Sequence, residues 1–126
     1  MRRFEFLTAV FLAFALPAAA PAIADEHKLS GEEIHKLLAG NSVHGMWGQS
    51  EYKSYFDPGG ATTYHAKGRD PSNGYWRTTA TQYCSTWNDH ESCYDLFQDG
   101  AKIIWVVPDT GNRYPSTLVK GNDTDF

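Results

Sequence analysis

The stretch Tyr83–Asp95, YCSTWNDHESCYD, holds the chain's two cysteines, Cys84 and Cys93. Its flanks, ATQYCSTW and ESCYDLF, are rich in strand formers, and Asn88-Asp89 between them is turn chemistry. A two-residue turn there places Trp87 opposite His90, Thr86 opposite Glu91, Ser85 opposite Ser92 and Cys84 opposite Cys93. Hydrogen-bonded and non-hydrogen-bonded pairs alternate away from such a turn. The cysteines fall on a non-hydrogen-bonded pair, with Cα atoms ~4.5 Å apart, within disulfide reach. A bridge closing about ten residues stabilises a fold by roughly 2–3 kcal/mol. The rival readings are weaker. A structural zinc site needs four ligands, and only Asp89 and His90 lie nearby. A redox dithiol usually has C-x-x-C spacing, which is lacking here. The spacing predicts a stapled antiparallel hairpin.

Downstream, QDGA (Gln98–Ala101) predicts a second tight turn centred on Asp99-Gly100. Tyr94 then faces Trp105, and Leu96 faces Ile103. Tyr83, Tyr94 and Trp105 form one aromatic row across three strands, assigned to the interior. The opposite face carries the disulfide, Asp95 and Lys102. Upstream, strict alternation along a single strand Tyr75–Trp87 puts Trp76 on the disulfide face, although a Trp there belongs in the core. A bulge between Trp76 and Tyr83 is the expected resolution.

Further strands are predicted at Ser42–Trp47, Glu51–Phe56, Ala61–Ala66, Glu91–Gln98, Ala101–Val107 and about Arg113–Val119. A short helix precedes them over Gly31–Ala39. Ser30 at N-cap and Glu33 at N3 make a capping box, Ile34, Leu37 and Leu38 form an apolar stripe, and Gly40 stops the helix. The expected fold is mainly β: a short N-terminal helix, then an antiparallel meander of about seven or eight strands. Closing the meander into a small barrel removes its exposed edges and lets a short chain bury enough area.

The chain opens with Arg2 and Arg3, an apolar run Leu7–Leu16, Pro17, and small residues ending in Ala22-Ile23-Ala24. This is the order of a secretory signal peptide over residues 1–24, and the apolar run is too short for a membrane span. Residues 25–126 are then one domain, with nine basic against fourteen acidic residues and a net charge of −5. Without a basic patch, nucleic acid is not an expected partner. No second apolar span exists, so the mature chain is expected not to cross a membrane. A periplasmic or secreted location follows, where paired cysteines are usual.

Gly45-Met46-Trp47 follows the short helix and sits on the first strand, and Gly74-Tyr75-Trp76 repeats the pattern. The first placement resembles the G-x-W signature of lipocalins and other calycins, in which the Trp closes the bottom of the barrel. The segments Leu29–Gly45, Tyr55–Gly60, Gly74–Trp76 and Cys84–Cys93, in that order, also resemble a family of small exported proteobacterial proteins of unknown function. The resemblance implies a calycin-like barrel and supplies no activity. Trp47, Trp76, Tyr83, Tyr94 and Trp105 are the expected core aromatics. Strands this short depart from the deep cup of a true lipocalin.

No phosphate loop, nucleophile elbow or dinucleotide fingerprint is present, and no two histidines share metal-ligand spacing. His44 and His65 lie on candidate strands close enough in order to be a candidate pair, although ordinary core or surface histidines are the default. Fourteen aromatics in the mature chain exceed the need of a small core. Tyr52, Tyr64 and His65 are candidate ligand-binding residues at a barrel face or mouth. Cleavage after Ala24 exposes Asp25-Glu26-His27, whose amine, two amides and imidazole suit square-planar Cu(II) or Ni(II). The reading favours a non-enzymatic binding or interaction module for a small apolar ligand or an envelope protein, with no cofactor. The alternatives are a hydrolase or isomerase using Asp, Glu or His at the barrel mouth, and copper handling through the N-terminus.

Overall fold

The structure, a computed structural model, describes residues 26–126; the signal-peptide expectation and Asp25 lie outside them. The chain runs β1 (His27–Lys28), α1 (Gly31–Leu38), β2 (Asn41–Trp47), β3 (Ser50–Phe56), β4 (Ala61–Ala66), β5 (Ser72–Thr78), β6 (Tyr83–Trp87), β7 (His90–Asp99), β8 (Lys102–Val106) and β9 (Arg113–Lys120). Consecutive strands from β2 to β9 pair antiparallel, and β9 returns to β2 with Asn41 opposite Lys120 and Gly45 opposite Ser116. The result is a closed eight-strand barrel, with β1 added outside on β7. Closure leaves every barrel strand paired on both sides, which removes the unpaired edge of an open sheet.

The stapled hairpin forms as its spacing predicts. Cys84 pairs with Cys93 and Trp87 with His90, and the sulfurs are bonded at 2.02 Å with Cα atoms 4.0 Å apart. Asn88 and Asp89 take φ of 48° and 63°, the backbone of a type I′ turn, which suits the right-handed strand twist. The second turn differs by one position. Gly100-Ala101 are its central residues, so Leu96 faces Trp105 and Gln98 faces Ile103. Gly100 has φ 58°, at the position a type II′ turn reserves for glycine. Moving a turn by one residue slides the pairing by two, so every side chain keeps its face. Tyr94, Leu96, Ile103 and Trp105 therefore still point inward.

The expected strand Tyr75–Trp87 is two strands, and the expected bulge is a full reversal. The turn lies in TTATQ, which has no Gly, Pro, Asn or Asp. Thr79 builds it. Its N–H donates to the Gln82 carbonyl at 2.9 Å, and its hydroxyl accepts from the N–H groups of Gln82 and Thr81 at 3.0 and 3.3 Å. This is the local side-chain-to-backbone bonding by which Thr mimics a turn residue. The reversal turns both Trp76 and Tyr83 inward.

Helix α1 docks at the end of the barrel where this turn lies. Ser30 and Glu33 exchange the two capping-box hydrogen bonds, at 3.0 and 3.2 Å, and Gly31 N–H donates to the Ala80 carbonyl at 2.9 Å. Gly31 is required there, because a Cβ would lie 1.6 Å from the Thr79 carbonyl oxygen. Ile34 and Leu38 are fully buried and close the core beneath Phe56 and Trp76. Each buried aliphatic of this kind contributes roughly 1.5–3 kcal/mol.

Trp47 departs from its expected core role. It sits at the far end of β2 from the helix, 45% exposed, stacked on Tyr114 at 4.3 Å between centroids. The other expected core aromatics are placed inward: Trp76, Tyr83 and Trp105 are buried, and Tyr94 is partly buried against them. Among the described residues no helix is long and apolar enough to cross a membrane.

Candidate functional site

Eight strands enclose an interior just wide enough for side chains or for one small ligand. Small residues decide between these outcomes here. Ser54, Thr62, Gly74 and Ser85 occupy inward positions that bulky residues would need to fill. A cavity of about 650 Å³ remains, opening at the rim opposite α1, within the usual range of small-molecule sites.

Its floor is Val43, Phe56 and Trp105, and its walls carry Tyr52, Tyr64, Tyr83, Trp87 and Tyr94. At the mouth stand Trp47, Ser72, Asn73 and Asn88. None of the described residues lining the cavity is charged, and none is a histidine or carboxylate.

Two glycines seat the aromatic wall. Gly45 lies directly opposite Tyr52, and a Cβ on it would meet the Tyr52 ring at 2.8–3.0 Å. A Cβ on Gly74 would meet the Trp87 ring at 2.7 Å and the Thr86 carbonyl at 2.5 Å. Each glycine lets a cross-strand ring lie flat on the neighbouring backbone, a device that pins register in curved sheets. The glycines of both G-x-W tripeptides have this local reason to be there.

Several polar groups inside are engaged within the protein, while the phenols of Tyr52, Tyr64, Tyr83 and Tyr94 line the cavity. Trp87 Nε1–H donates to Ser85 Oγ at 3.0 Å. Trp105 Nε1–H donates to Ser116 Oγ at 2.9 Å, and that hydroxyl donates to the Ile103 carbonyl. The Thr62 hydroxyl donates to the Tyr55 carbonyl at 2.8 Å. Among the described residues no buried side-chain polar atom lacks a partner. Burial holds the Tyr52 and Tyr83 phenols well above the usual range, and does the same less strongly for Tyr64 and Tyr94. The desolvated phenolate is the disfavoured form, so these phenols add no charge to the lining at neutral pH; the exposed Arg69 acts on Tyr64 from beyond the lining.

Of the three residues expected to bind ligand, Tyr52 and Tyr64 line the cavity, stacked at 5.1 Å. His65 does not; it points outward. His44, Lys53 and His65 form one cross-strand row on the outer face, so Lys53 separates the two histidines. The segment Gly121–Phe126 lies over this row. His44 Nε2–H donates to the Asp123 carbonyl at 3.2 Å and Lys53 Nζ to the Asp125 carbonyl at 2.6 Å. His65 Nδ1–H donates to the Thr124 carbonyl, and its ring meets Phe126 edge-on. Both imidazoles hold chain, and the Asp123 carboxylate lies 3.5 Å from His44 Nε2 and 3.7 Å from Lys53 Nζ.

Of the proposed N-terminal metal site, Asp25 and its amine lie outside the described residues, and Glu26 would bind through its amide, not its carboxylate. Glu26 pairs with Arg113, and His27 lies in β1 with its ring 3.5 Å from the Glu33 carboxylate. Cys84, Glu91 and Cys93 come within 4.8 Å of one another, but the sulfurs are spent in the disulfide. Glu91 makes a two-point ion pair with Arg77, at 2.9 and 2.6 Å.

Sequence reasoning missed Trp47 and Trp87 as cavity residues, together with the small inward residues. The signal was present in the strand alternation. Ser85 and Trp87 share the parity of Tyr83, and Ser54 that of Tyr52 and Phe56. Comparison with known proteins finds no matching family model, no matching curated protein and no matching solved structure.

Proposed function

We propose that this protein is a non-enzymatic binding module, periplasmic or secreted, that holds one small uncharged, largely apolar molecule inside its barrel. The observation that carries the reading is the neutral, aromatic-walled cavity of about 650 Å³ with an open mouth. An eight-strand barrel built only for stability would fill that space, because unfilled apolar volume costs about 24 cal/mol per Å³. A hydrolase or isomerase at the mouth would need an acid or base there, and the lining side chains are uncharged and contain no imidazole. The disulfide suits an oxidising compartment. The meander order and the helix at one end support a calycin-like reading of the barrel. Trp47, at the open rim and far from the helix, speaks against a calycin role for its G-x-W.

Native mass spectrometry of protein purified from an oxidising compartment tests this. The expected result is one organic adduct, lost on denaturation and absent from a Ser72→Trp variant that narrows the mouth. An adduct retained equally by that variant sits outside the cavity and overturns the reading. So does a cavity that takes up no neutral organic molecule at all.

A further inference from the structure

We infer that the cavity is built for a flat, uncharged aromatic molecule of two or three rings, inserted ring-first with its polar substituent at the Ser72 and Asn88 side of the mouth. The inference rests on the binding reading and narrows it to a ligand class and an orientation.

The wall geometry comes first. Tyr52 lies on Gly45, stacks on Tyr64 at 24° between planes, and Tyr64 in turn meets Trp87 edge-on at 6.3 Å and 74°. The wall rings already pair in the stacked and edge-on arrangements that aromatic partners prefer, and a flat ring set against them extends the same array. A flexible alkyl chain gains only burial from the same wall.

The donors come second. The indole N–H groups of Trp87 and Trp105 are spent on Ser85 and Ser116, and the Thr62 hydroxyl on a strand carbonyl. The phenols of Tyr52, Tyr64, Tyr83 and Tyr94 remain on the wall; they can pair only part of a sugar's donors and acceptors, and each one left unpaired costs its desolvation. An arene has no such groups to satisfy. Charge comes third. A buried sulfonate or ammonium would face no counter-charge among the lining residues, which is the expensive case. The rim differs from the interior. Ser72 and Asn88 are exposed at the mouth, so a single hydroxyl, carbonyl or amine there keeps both protein and water as partners.

The test is a fluorescence titration of ligand-stripped protein with N-phenylnaphthylamine and with its sulfonated analogue, which shares the rings and adds one fixed negative charge. Energy transfer from the cavity tryptophans to the bound probe reports occupancy. The expected result is saturable one-to-one binding of the neutral probe, with the sulfonate at least about tenfold weaker. Ser72→Trp at the mouth, and independently Ser54→Leu on the wall, should each weaken the neutral probe about tenfold or more while leaving the far-UV spectrum unchanged. Equal affinity for the sulfonate overturns the neutral assignment. If decanol occupies the cavity, as shown by a stabilisation that Ser72→Trp abolishes, while the neutral arene neither binds nor competes, the aromatic class is overturned and the binding reading stands. If neither decanol nor the arene occupies it, both fall.

Discussion

Two tryptophans, both on barrel strands, should respond to truncation to very different extents. Trp105 is 8% exposed. Its ring lies 4.8 Å from Tyr83, 6.1 Å from Phe56 and 6.2 Å from Tyr94. Truncation to alanine removes most of a large buried aromatic surface and opens a cavity, at about 3–5 kcal/mol. Ser116 adds little to this cost, because its hydroxyl still donates to the Ile103 carbonyl after the indole has gone. Taking about 4 kcal/mol, the melting temperature should fall by roughly 15–30 °C for a domain of this size. Trp47 is 45% exposed with one stacked partner, Tyr114. Its truncation should cost about 1 kcal/mol, the scale of one aromatic pair with partial burial. The mouth of the cavity would then lose a wall, so probe affinity should fall while the fold persists. Urea melts followed by far-UV circular dichroism suit both variants, since the midpoint of the transition reports loss of the backbone fold and not the indole removed. A Trp47→Ala cost near that of Trp105→Ala would refute the rim placement of Trp47. A Trp105→Ala cost below about 1.5 kcal/mol would refute the packed floor, since core truncations of aromatics run well above that.

Replacing both Cys84 and Cys93 by alanine should lower stability by about 2.5 kcal/mol, the chain-entropy value for a short loop. Reductant should lower the wild-type melting temperature and leave the double variant unmoved; a matched loss in both would show that the bridge contributes nothing. Gly31→Ala forces a Cβ onto the Thr79 carbonyl and should cost at least about 2–3 kcal/mol through displacement of α1. A neutral result in a thermal melt would mean that the helix is not docked on the Thr79–Gln82 turn. The Arg77 hydrogen bond holds the Glu91 carboxyl below its ordinary value, and the Ser30 backbone hydrogen bond does the same for Glu33. Depressed carboxyls contribute stability above the ordinary carboxylate pKa, and that stability is lost as pH falls through their folded values. Arg77→Gln should therefore flatten the acid limb of melting temperature against pH, with little change in slope near neutrality; an acid limb parallel to wild type would rule out this contribution.

Features governed by neighbours a few residues apart were legible in the sequence. The Asn88-Asp89 turn fixed the register that joins Cys84 to Cys93, because strand period and turn length are both local. The Ser30 and Glu33 box set the helix start for the same reason. Inward parity of Tyr83, Tyr94, Leu96 and Trp105 survived a misplaced turn, since a slide of two residues keeps each face. The Thr79 reversal was hidden because a threonine turn uses a residue whose composition reads as strand. The closure of β9 on β2, the exposure of Trp47 and the row of His44, Lys53 and His65 beneath Gly121–Phe126 came only from tertiary structure, as they join residues about 60 or more positions apart. The cavity belongs to the same class. Its volume is a difference between the space eight strands enclose and the side chains that all eight turn inward, so no one strand reveals whether Ser54, Thr62, Gly74 and Ser85 leave a space or are overlain by a ring from across the barrel.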